Sequence, residues 1–117
     1  MNKGFMVSRR EADIISEEYE WLTLGEIFLI KAERRKGGKN WTVFYTKDAE
    51  FVTCLATEQL IKLLSVEEGF VRTDRGMMAN LNQRLIYDSE YNTIRLQDGR
   101  TYITVTVSNI EIVKKYL

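Results

Sequence analysis

Between Leu24 and Val107 the chain breaks into short β-prone runs joined mostly by brief turns, with one helical stripe among them. This succession constrains the fold more than any other feature. Parallel neighbours need crossover connections of a dozen or more residues, so short connections favour antiparallel sheet. Residues 41–46 and 50–55 are β-prone and are joined by Lys47-Asp48-Ala49, which reads as a hairpin. Asp98-Gly99 is a strong hairpin signal between Ile94/Leu96 and the run 101–107, where Ile103, Val105 and Val107 alternate onto one face. Residues 24–32 are apolar and branched and read as a buried strand; two more strands are expected at 85–87 and 93–97.

Helical signals are few. Thr57 is placed as an N-cap with Glu58 in the first turn; Leu60, Ile61, Leu63 and Leu64 form an apolar stripe, and Gly69 stops the chain. Ser108 with Glu111 has the pattern of a capping box before a last short helix over 109–117, with Ile110, Val113, Tyr116 and Leu117 as its buried face. Ala12, Ile15, Tyr19 and Leu22 have helical spacing among acidic residues, so a short amphipathic helix is predicted within 8–21. The fold expected from these elements is mainly β.

Composition narrows the function. The chain has 117 residues, one Cys and no His. A histidine base and a Cys/His zinc site are therefore excluded. A single Cys cannot form an internal disulfide, which favours a reducing compartment, most simply the cytoplasm. Cys54 lies in an apolar β run and reads as a buried structural thiol rather than a nucleophile. No signal-peptide core is present near Met1, and the longest apolar-rich stretch, 22–32, is interrupted by Glu26 and Lys31 and is too short for a bilayer. Neither a nucleophile elbow nor a phosphate-binding loop appears, and Gly37-Gly38 reads as a flexible hairpin turn. An enzyme is not expected, and no cofactor, metal, membrane or small-molecule substrate is implied.

The net charge is zero, with 17 basic and 17 acidic residues, but it is unevenly distributed. Residues 1–30 carry three basic and six acidic groups, and residues 31–47 carry six basic and one acidic. Residues 48–69 carry one basic and five acidic groups, and residues 70–117 seven basic and five acidic. The +5 segment centres on one loop, Lys31 to Lys39. Such a patch can grip several phosphates or merely solubilise a hairpin tip. Arg72 and Arg75 can read guanine or clamp phosphate, or can form internal ion pairs with Asp74 or Glu67/Glu68. Asn80 reads as a turn or backbone-capping residue ahead of a base reader, and Trp41 as a core or sheet-face residue ahead of a nucleotide-stacking one.

Four stretches in this order resemble the LytTR DNA-binding domain, an output module of bacterial response regulators in two-component systems. They are EIFLIKAE (26–33), LATEQLIKLL (55–64), FVRTDRGMMANL (70–81) and NTIRLQDGRTYITVTV (92–107). The third is the most specific. The resemblance covers residues 26–117 and leaves 1–25 as an N-terminal extension. It implies an elongated stack of small antiparallel sheets with two or three short helices. It also implies a bacterial transcriptional regulator that binds double-stranded DNA through loops between strands, at direct repeats and as a homodimer on the DNA. By position, the first contacting loop is Arg34, Arg35, Lys36, Lys39 and Asn40. Arg75 takes the base-reading position with Arg72 nearby, and Ser108 and Asn109 follow the last strand. Three positions depart from the family pattern: Asp74 stands for a histidine, Gly76 for a serine, and Val107 for an arginine. These departures leave a second reading, a LytTR-like protein-interaction module with weakened or lost DNA binding.

Overall fold

Successive side chains of a strand point to opposite faces of its sheet. In β3 (Leu29–Arg34) and β4 (Asn40–Tyr45), Leu29, Val43 and Tyr45 fall on one face, and Ile30 and Phe44 on the other. Both faces are covered by other elements, so these runs are apolar without alternating. The structure, a computed structural model, describes residues 3–34, 37–38 and 40–117.

Among the described residues, a seven-stranded sheet also contains β1 (Gly4–Glu11), β2 (Ile14–Thr23), β5 (Glu50–Thr53), β6 (Phe70–Asp74) and β7 (Met77–Asn80). Its order is β2-β1-β5-β4-β3-β7-β6, and every neighbouring pair is antiparallel. A three-stranded antiparallel sheet is built from β8 (Ile86–Asp88), β9 (Thr93–Arg95) and β10 (Tyr102–Thr104), in the order β10-β9-β8. Helix α1 (Thr57–Leu64) packs Leu60, Ile61 and Leu64 with Val7, Ile30, Phe44, Phe51 and Met78 on one face of the large sheet. On the other face, Ile94 and Ile103 of the small sheet and Val113 of α2 (Ile110–Tyr116) pack with Leu29, Val43, Val52 and Ala79. Each large apolar side chain so buried contributes about 1.5–3 kcal/mol. The mainly β fold with stacked antiparallel sheets and two helices agrees with the expected class.

The chain between α1 and β8 is held by glycine and asparagine. Gly69 has φ +88°, and a Cβ there would lie 2.2 Å from Asn82 Nδ2, so a larger residue would strain the backbone and displace the Asn82 side chain. Asn80 is buried; its Nδ2 donates to Ile27 O at 2.9 Å and its Oδ1 accepts the Asn82 N–H at 3.1 Å. It is the backbone-capping residue and is withdrawn from the surface.

Several local expectations are corrected. Residues 8–21 are not helical: they belong to the β1–β2 hairpin, which turns at Ala12-Asp13 with Ala12 at φ +53°. The acidic residues that resembled the wet face of a helix include a cross-strand partner, since Glu20 pairs with Arg9 at 3.2 Å. Pairing of β1 with β5 joins this hairpin to the large sheet. Thr57 is not the N-cap; Ala56 is, and the buried Thr57 hydroxyl lies 2.5 Å from that of Thr42. The capping box expected at Ser108 and Glu111 is also unmade, because α2 begins at Ile110 after a 3-10 turn over Val107–Asn109 and its N-cap, Asn109, makes no side-chain cap bond. Cys54 is exposed rather than buried, because the strand ends at Thr53 and the chain turns toward α1.

Candidate nucleic-acid interface

The β3–β4 and β6–β7 hairpins bring Asn40, Arg72 and Arg75 to one concavity. Arg34 and Asn40 are the last register pair of β3 and β4, and both are exposed. Gly37 and Gly38 lie beyond them at φ +100° and +96°, as a glycine turn requires. Arg35, Lys36 and Lys39 lie outside the described residues.

The second hairpin turns at Arg75-Gly76, with Asp74 opposite Met77. Gly76 has φ +66°, its carbonyl accepts the Ala32 N–H at 2.8 Å, and a Cβ on it would come within 3.1 Å of Ala32 Cβ. This close approach seats the turn against β3, two residues before Arg34. Asp74 braces the turn from within, as its carboxylate accepts the Arg75 N–H at 2.7 Å and the Thr104 hydroxyl. Those two bonds, the hydroxyl's first, hold the Asp74 carboxyl below the usual range. Asp74 is therefore a structural brace of the turn.

Arg75 is exposed, and none of the described residues pairs with its guanidinium. Arg72 is engaged, though not with the acids considered from sequence: its partner is Glu58 of α1, at 2.7 and 3.1 Å. Asn40, Arg72 and Arg75 line one open concavity together with Cys54, Glu58 and Gly76. Trp41 packs against the core cluster, as the sheet-face reading expects.

The segment after β10 runs along the outer side of β6. Thr106 N–H donates to Thr73 O at 2.8 Å. Asn109 spends its amide on Thr73 O at 3.3 Å and on Thr106 Oγ1 at 2.9 Å, whereas Ser108 is exposed. Glu58 is the residue that sequence reading passed over. Its placement in the first turn of α1 was visible, but its reach to Arg72 and Gly76 is a tertiary fact.

Among the described residues, no group of three or more metal-ligating side chains occurs, and no helix is long and apolar enough to cross a membrane. No family model matches the sequence, and no curated protein is similar enough to match. A solved chain from Bacillus cereus, described as the LytTr DNA-binding domain of a methyl-accepting/DNA response regulator, is similar over 98% of this chain and 97% of its own. The TM-score is 0.62 at 15% identity, so what the two share is the fold. The stacked antiparallel sheets described above are the fold of a LytTR DNA-binding domain.

Proposed function

We propose that this chain is a cytoplasmic bacterial transcriptional regulator that binds duplex DNA through the loops at one end of its large sheet. The observation that carries the reading is the grouping of Asn40, Arg72 and Arg75 around one concavity, beside the +5 segment. The similar Bacillus cereus domain, described as DNA-binding, supports it. Arg75 reads a base edge, because its guanidinium fork is exposed at the turn and has no partner among the described residues. Arg34, Arg35, Lys36, Lys39 and Arg72 grip phosphate, Asn40 and Ser108 add polar contacts, and Asn109 orders the segment beside β6. Binding as a pair at direct repeats is part of the same reading.

Salt dependence tests it. Each phosphate neutralised on a duplex contributes about 0.9 to the slope of log K against log salt, so a slope of about −3 to −5 is expected with random-sequence duplex. Lys39→Ala should weaken all sequences alike. No shift of duplex mobility at low salt would contradict the reading.

One observation favours the protein-interaction alternative. Edge strand β2 exposes Ile14, Tyr19 and Trp21 beside Glu17 and Glu18, an edge suited to strand addition. A chain that shifts no duplex but captures an extended basic peptide would establish that reading instead.

A further inference from the structure

Three donors of the β6–β7 hairpin converge on one carboxylate. Glu58 accepts Arg72 Nη1 on Oε2 at 2.7 Å and Arg72 Nη2 on Oε1 at 3.1 Å. The same Oε1 accepts the Gly76 N–H at 3.1 Å. A guanidinium fork together with a turn amide is a donor set that suits phosphate as well as carboxylate. The two carboxylate oxygens stand where two phosphate oxygens would stand.

The turn amide is fixed, whereas the ion pair beside it is open to exchange. Gly76 is seated by its carbonyl bond from Ala32 and by its close approach to that residue. Glu58, in contrast, is 55% exposed at its side chain and Arg72 45%, and ion pairs this open to water hold weakly. Nothing in the packing of α1 requires the Glu58 carboxylate either. The helix is anchored by Thr57, Leu60, Ile61 and Leu64, all buried. The glutamate can swing toward solvent with the core intact. Asn40 and Arg75 line the same concavity, so an entering phosphate meets further donors there.

We infer that Arg72 and the Gly76 N–H form a seat for a backbone phosphate of the duplex, filled by Glu58 in the free protein and vacated when the phosphate enters. This inference rests on the DNA-binding reading above. Glu58 is thereby a determinant of affinity: an internal anion that competes with the external one for the same three donors.

Glu58→Gln removes the competing charge at nearly constant size. Affinity for a short random-sequence duplex should rise about three- to tenfold at moderate salt, and the salt slope should steepen by about 0.9. Glu58→Ala should rise at least as far, and thermal melting confirms that each variant is folded. Removing any acid near DNA gives some gain, so Arg72→Ala is compared on both backgrounds. The seat predicts that Arg72→Ala loses at least about threefold more affinity on the Glu58→Gln background than on the native one. It also predicts that the Gly76 amide resonance of the native protein moves when duplex is added. Equal losses on both backgrounds, or an unmoved Gly76 amide in a protein that binds DNA, would overturn the seat and leave DNA binding standing. Failure of both the native chain and Glu58→Gln to bind any duplex would overturn the DNA reading and the seat together. Binding by Glu58→Gln alone would support both.

Discussion

Arg10→Ala should lower folding stability by about 2–4 kcal/mol at pH 7, read from urea unfolding, because it strands two carboxylates beside a phenol. Arg10 lies on β1, and its side chain is only 16% exposed. It donates to both Glu33 oxygens at 3.2 Å and to Glu50 Oε1 at 3.0 and 2.6 Å. Tyr45 donates its hydroxyl to Glu33 as well. Glu33 sits on β3, so this group ties the N-terminal hairpin to the middle of the sheet. Losing one member of a well-buried pair typically costs about 3–5 kcal/mol. The lower figure applies here because Glu50 is 42% exposed and partly screened.

The same cluster sets an acid limit. Burial pushes the Glu33 carboxyl up, but hydrogen bonds from Arg10 and Tyr45, with the Arg10 charge, outweigh it and hold Glu33 below its ordinary 4.5. A depressed carboxylate stabilises the fold above its unfolded value, and that stability is lost as pH falls through the folded value. The native chain should therefore lose stability on acidification below about pH 4.5. With Arg10 gone, its hydrogen bonds and charge no longer oppose burial at Glu33. The gap between native chain and variant should narrow as the pH falls. A loss below about 0.5 kcal/mol at pH 7, or a gap that does not change with pH, would contradict this role.

Arg75→Ala should leave thermal stability nearly unchanged and lower affinity for the preferred site by about 1–3 kcal/mol, or about five- to 150-fold. Its guanidinium has no partner among the described residues, so the fold loses nothing with it. Base selection should relax at the position it reads, whereas affinity for random duplex should fall much less. Arg75→Lys keeps the charge but not the planar fork, so it should restore salt-dependent binding without restoring selectivity. Discrimination between preferred and random duplex that survives in Arg75→Ala would remove this residue from the reading role.

Particular residues show why parts of the fold were legible and others were not. β4, β5 and the turn at residues 46–49 announce themselves because both faces of these strands are buried and the residues are β-branched or aromatic. Asp98 was legible for a local reason: its carboxylate accepts the N–H groups of Arg100 and Thr101, a bond pattern contained within the turn. The N-terminal hairpin hid because β2 is an edge strand with Leu22 as its one fully buried apolar residue, so no clean alternation develops. Its turn also places a positive φ on Ala12, where glycine or asparagine would have signalled it. At the candidate interface, Arg34, Asn40 and Arg75 were legible through charge and family resemblance. The partner of Arg72 was not, because Glu58 reaches it across 14 residues of sequence.

Backbone amide mapping during titration with duplex DNA tests the central claim most directly. The account predicts that shifted resonances gather at residues 34–40, 54–58, 72–76 and 106–109, while those of β2 and the β8–β9 turn stay in place. Shifts confined to the β1–β2 hairpin, or no shifts at low salt, would contradict it.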